Sequence, residues 1–150
     1  MTRERFLVKT FGDNPDGVRL GLVKVLQLLD TYQSAVIVVP NIGNVKGSML
    51  ASVLGEDTTK KLLKDREITF PDGKKIFICG QSALKKYRDH DVYLDLWGSK
   101  FSIKDIENMS YWRAVVLVTW GLDDSVEWVK EYDVLTIHDD GNTGNTDLMG

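Results

Sequence analysis

The chain is poor in the residues that carry the commonest covalent and metal chemistry. Of its 150 residues one is cysteine (Cys79) and two are histidine (His90 and His138). A single cysteine excludes an intrachain disulfide and points to a reducing compartment. Cys79 itself reads as a small hydrophobe at the end of a strand. With so few ligands there is no H-E-x-x-H and no C-x-x-C, so no zinc constellation is encoded. Long apolar runs are also missing: nothing approaches the roughly 20 residues needed to span a bilayer. The opening "MTRERFLVKTFGD" holds too short an apolar stretch for a signal peptide. The expected location is therefore the cytoplasm, with no membrane partner. Basic excess is lacking as well. Nineteen Lys and Arg against 22 Asp and Glu give a net charge of −3, and the cations are spread along the chain. A duplex nucleic acid needs a concentrated basic face and is not an expected partner.

The familiar nucleotide and hydrolase motifs are absent too. "NIGNVKGS" resembles a phosphate loop only in composition, because Lys46 precedes Gly47 where a P-loop places its Lys after the second glycine. After the first apolar run only Gly12 and Gly17 occur, so the dinucleotide fingerprint G-x-G-x-x-G is not met. No G-x-S-x-G elbow offers a starting point for a Ser-His-Asp triad. Asp139, Asp140 and Asp147 lie among Gly and Asn but miss the calcium-loop spacing, and the segment 139–150 reads as a solvated, disordered tail. No cofactor is named by any of these patterns.

What the sequence does contain is alternation. Apolar, β-rich runs occur at Arg5–Phe11, Ser34–Pro40, Asp91–Trp97, Arg113–Trp120 and in "DVLTIHD". Between them lie segments with helical spacing. Val18, Leu22, Val25, Leu26 and Leu29 predict an amphipathic helix over Asp16–Tyr32. Further helices are expected from Ser48, broken at Gly55 and restarted by Asp57 through Leu63, and over Ser82–Arg88, Ser102–Met109 and Asp123–Tyr132. "EITFPDGKKIFICG" interrupts the pattern with a hairpin turning at Pro71-Asp72-Gly73, near residues 67–79. Strands alternating with short helices imply right-handed crossovers. The expected architecture is a single α/β domain over 1–138: a small, open, mostly parallel sheet with helices on both faces, Rossmann-like or flavodoxin-like. The strand orders 3-2-1-4-5 and 2-1-3-4-5 fit the alternation equally.

In such sheets ligands bind at the carboxyl ends of the strands. Two of those ends repeat one pattern, "WGSKFS" after Leu96 and "WGLDDS" after Thr119. Trp97 and Trp120 would stand side by side, either plugging the end of the core or walling a pocket. On the pocket reading, Lys100, Lys46 and Ser48 would contact an anion, and Asp13 and Asp123 would take a ligand hydroxyl or a metal-bound water. The expected function is the binding or sensing of a nucleotide-like or other small anionic ligand. One alternative is a hydrolase acting on a nucleotide or phosphoester, with Asp123, Asp124 and His138 as catalytic groups. Helix capping explains the two acids equally well. A second alternative is a protein-interaction module, self-associating into a homodimer through the hairpin edge. Trp112, Tyr111 and Trp128 read as packing groups, and His90 as an exposed residue in a charged turn.

Overall fold

The computed structural model of the chain describes residues 2–141. Chain order begins with β1 (Glu4–Lys9), α1 (Pro15–Leu28), β2 (Ser34–Val39), a 3₁₀ turn at Ile42–Asn44, α2 (Met49–Leu54) and α3 (Glu56–Asp65). It continues through β3 (Glu67–Thr69), β4 (Lys75–Gly80), a 3₁₀ helix over Gln81–Tyr87, β5 (Val92–Gly98) and α4 (Lys100–Glu107). Then come β6 (Ala114–Thr119), α5 (Val126–Glu131) and β7 (Leu135–Asp139). Among the described residues no helix is long and apolar enough to cross a membrane.

The strands form one seven-stranded sheet in the order β3-β4-β2-β5-β6-β1-β7. Every pairing is parallel except that of β3 with β4, which is the expected hairpin. The alternating side chains of the strands build two cores. Val8, Ile37, Leu94, Val116 and their neighbours pack beneath α1, α2 and α3. Leu7, Val36, Tyr93, Val115 and Leu117 pack beneath α4, α5 and the 3₁₀ helix. The α/β class with helices on both faces is thus what the alternation implied.

Neither expected strand order occurs. β1 sits between β6 and β7 rather than beside β2, because α1 crosses both β6 and β5 before the chain re-enters the sheet. Side-chain periodicity reports which face a helix buries, not how many strands it passes over. Local deviations have equally local causes. Leu26 is 50% exposed, since the buried stripe of α1 is Val18, Leu22 and Val25. Ser82–Arg88 winds as 3₁₀, and the last helix forms only over Val126–Glu131. His90 is half-buried: its Nδ1 lies 3.0 Å from Ser34 Oγ, and its ring stacks on Phe77 with centroids 4.4 Å apart. Burial lowers its pKa from the ordinary value. The strand pairing of β7 runs through Asp139, and the Asp140 N–H donates to the Lys9 carbonyl at 3.2 Å. The rest of the expected tail, 142–150 with Asp147, lies outside the described residues.

A candidate ligand cleft at the carboxyl edge

The strand order decides where a cavity opens. β1 and β2 hand the chain to helices on one face, whereas β4, β5 and β6 hand it to the other. The chain therefore diverges to opposite faces on both sides of the β2 end and again between β6 and β1, and a crevice forms there. It is a cleft of about 410 Å³. The loop after β2 contributes Pro40, Asn41, Asn44 and Ser48. Trp97 and Ser99 come from the end of β5, Trp120 and Asp124 from the loop after β6, Asp13 from the loop after β1, and Gln81 from the end of β4.

The two Trp-Gly pairs part company here. Trp97 is 5% exposed and has φ of 56°, a left-handed conformation that costs a bulky residue about 1–3 kcal/mol. It stands where the β5–β6 register shifts between Leu96 and Gly98. The irregularity breaks the alternation, so that Leu96 and Trp97 both join the core on the α1 side. Trp97 is thus mostly a plug, although its indole N–H is buried without a partner. Trp120 is 50% exposed and lines the cleft. Its backbone locks the edge together, the N–H donating to Gly98 O at 3.1 Å and the carbonyl accepting from Gly12 N at 2.8 Å.

Gly98 is required by what lies behind it. A Cβ there would stand 2.5 Å from both Asp95 Oδ2 and Leu117 Cδ1. Asp95 is fully buried, accepts a 2.7 Å hydrogen bond from Ser102 Oγ on Oδ2, and leaves Oδ1 without a partner. Burial pushes its carboxyl up to about 7, with the neighbouring charges of Asp105 and Asp124 adding to the rise and Ser102 opposing it. Ser102 also closes a capping box with Ser99 at the start of α4. Asp95 was not singled out from the sequence; a lone acid inside the apolar run "VYLDLW" was the signal that could have found it. Asn41, Asn44 and Gln81 gave no comparable signal.

The acids at the cleft are committed to backbone. Asp13 Oδ2 accepts from Met49 N at 2.9 Å, capping α2 in place of Ser48, whose Oγ donates instead to Val45 O at 2.7 Å. Asp13 Oδ1 is buried with no partner. Asp124 accepts from Lys100 N at 3.2 Å and from Gly121 N at 2.7 Å, so each of its oxygens receives a backbone donor.

Of the residues expected at the site, Trp97, Trp120, Ser48, Asp13 and Asp124 meet in the cleft. The others do not line it. Lys46 borders a separate groove with Glu56 and Lys60 beyond Ser48. Lys100 faces a third groove with Glu107, its Nζ 5.4 Å from the Phe101 ring. Asp123 is exposed outside the cleft, and its carbonyl accepts from Val126 N at 3.3 Å. His138 pairs with Val8 on β7, one strand beyond β1. Of the three groups proposed for hydrolysis, Asp124 alone lines the cleft. Among the described residues no group of three or more His, Cys, Asp or Glu is placed to hold a metal ion.

Elsewhere Trp112 and Trp128 pack as their positions suggested, whereas Tyr111 is 53% exposed and does not join the core. Trp112 is buried beneath the Arg3 and Arg5 guanidinium groups, and Trp128 docks α5 while donating to Glu107 at 2.7 Å. Cys79 is buried, its thiol pushed up to about 12 by desolvation. No protein-family model matches the chain, and a search of curated protein sequences gives no significant match.

Proposed function

We propose that the chain is a small-molecule-binding domain that holds a planar, nucleotide-like ligand at the carboxyl edge of its sheet. The observation that carries this reading is the half-exposed ring of Trp120 at a cleft of about 410 Å³ whose polar groups come from five separate loops. Ligand pockets typically measure about 300–1,000 Å³ and combine apolar walls with a few convergent polar groups. A flat indole face suits a planar ring, which stacks on it with little loss of side-chain freedom. Asn41, Asn44, Gln81, Ser48 and Ser99 supply donors and acceptors around that face. Binding rather than turnover is the supported claim, because no nucleophile and general base stand together among the residues of the cleft.

The test is a thermal-unfolding screen against nucleosides, nucleotides and dinucleotides, followed through tryptophan fluorescence. A ligand at about 100 times its dissociation constant adds about 2.7 kcal/mol to stability, a shift of several degrees for a domain this size. The expected hit is lost in Trp120→Ala, whose own unfolding temperature without ligand is the reference, since half of the side chain is buried and its removal lowers stability by itself. A flat screen, or a hit that Trp120→Ala leaves untouched, overturns the reading.

A further inference from the structure

We infer that the cleft selects the uncharged, nucleoside form of such a ligand, a planar base with an unphosphorylated sugar, and discriminates against the phosphorylated form. This inference rests on the ligand reading above and deepens it. In α/β folds a phosphate is held by free backbone N–H groups at helix starts. Here at least one such N–H at each of three helix starts is taken by the chain's own side chains. Asn14 accepts from Gly17 N at 3.0 Å at the start of α1, and Asp13 accepts from Met49 N at 2.9 Å at the start of α2. Asp124 and Ser99 accept from Lys100 N, Phe101 N and Ser102 N at the start of α4. Two of these caps are carboxylates, so the positive ends of α2 and α4 are met by full negative charges.

The charge inventory points the same way. Asp13 and Asp124 line the cleft, and no Lys, Arg or His does. Lys46 and Lys100 line neighbouring grooves instead. A phosphate monoester carries about −1.5 to −2 charges at neutral pH and would enter beside two carboxylates with no cation to offset them. Sugar hydroxyls suit the same surface. A sugar hydroxyl can donate to a carboxylate of the lining, Asp13 or Asp124, where a phosphate oxygen cannot. The exposed Trp120 and the amides of Asn44 and Gln81 remain for the base, Asn41 Oδ1 being taken by Gly43 N at 2.9 Å.

The experiment titrates the full chain with adenosine, guanosine, cytidine and uridine and with their 5′-monophosphates, reading Trp120 quenching and the unfolding temperature. The expected result is that at least one nucleoside binds and its monophosphate binds at least tenfold more weakly. The gap should narrow as ionic strength rises and screens the repulsion. It should narrow also in Asp124→Asn and in Asp13→Asn, both checked for native circular dichroism. The salt series needs no variant, so the inference remains testable if either substitution unfolds the chain. A monophosphate that binds as well as or better than its nucleoside overturns the inference while leaving the ligand reading intact. No response to any nucleoside or monophosphate overturns both.

Discussion

A fully buried carboxyl group with one oxygen left unpartnered is costly to keep ionised. Asp95 sits in the middle strand layer, where only Ser102 donates to it and the nearby charges, Asp105 and Asp124, are both negative. The sign of its effect on stability follows from linkage. Its carboxyl is raised from 3.8 to about 7 in the folded chain, so the unfolded chain gives up the proton first as pH rises. Below about pH 4 both states are protonated and the residue costs nothing electrostatically. Between pH 4 and 7 the cost grows, and above 7 it is complete, on the order of 4 kcal/mol at about 1.4 kcal/mol per pKa unit. Asp95→Asn removes the titration and keeps an oxygen for Ser102. Urea unfolding at pH 4 and pH 8 should show the variant gaining on the wild type by several kcal/mol at the higher pH. An equal difference at both values would mean that Asp95 stays ionised in the fold. The Trp-Gly repeat beside it was legible as a pattern, but not in its meaning. Whether an indole plugs or walls depends on φ at one residue, 56° at Trp97, and on the register shift beside it, and neither is written in the local composition.

At the scale of elements, α1 shows why composition locates a helix without placing it. Its start is fully encoded: Asn14 caps it, Pro15 takes the first turn, and Asp16 favours the dipole. Its position on the sheet depends on Gly21, where a Cβ would stand 2.7 Å from Val118 Cγ2 and 3.1 Å from Leu94 Cδ1. Propensity alone says that Gly21→Ala stabilises the helix by roughly 1 kcal/mol. The close approach to β5 and β6 says the opposite, because the added methyl must push the helix off two strands, at a typical cost of about 1–3 kcal/mol. Packing should win, and equilibrium denaturation should show a net loss; a net gain would mean that the helix lifts away freely. The same contact explains what could be read in advance. Hydrophobic spacing gave the helices and strands because a residue's face depends on its neighbours three or four positions away. The crossing over β6 and β5 depends on residues about seventy to a hundred positions away, so local spacing does not specify the strand order. The hairpin at Pro71-Asp72-Gly73 was readable for the converse reason, since a turn is entirely local.

Across the whole molecule, burial falls from the centre of the sheet to its two rims, and stability should fall with it. Every residue of β5 and β6 is buried, whereas β7 is exposed at four of its five positions and β3 has only three residues. β7 is tied to the sheet through β1 alone, with a register shift between Leu7 and Val8, and no described element pairs on its outer side. Local opening of such a strand breaks few apolar contacts. Hydrogen exchange on the full chain should therefore find the amides of Val92–Leu96 and Val115–Val118 exchanging only with global unfolding, and those of β7 exchanging orders of magnitude faster. Leu135 and Ile137 are 59% and 40% exposed on that strand, which makes it a longer open edge than the hairpin from which self-association was expected. The exchange experiment addresses this as well when repeated over a hundredfold range of protein concentration. For a monomer, β7 and β3 should exchange at the same rate throughout. Protection that grows with concentration in β7 would place a second copy on that edge, and protection confined to β3 would place it on the hairpin. Protection of β7 equal to that of β5 at the lowest concentration would contradict the gradient itself, and would mean that β7 opens only with the rest of the sheet.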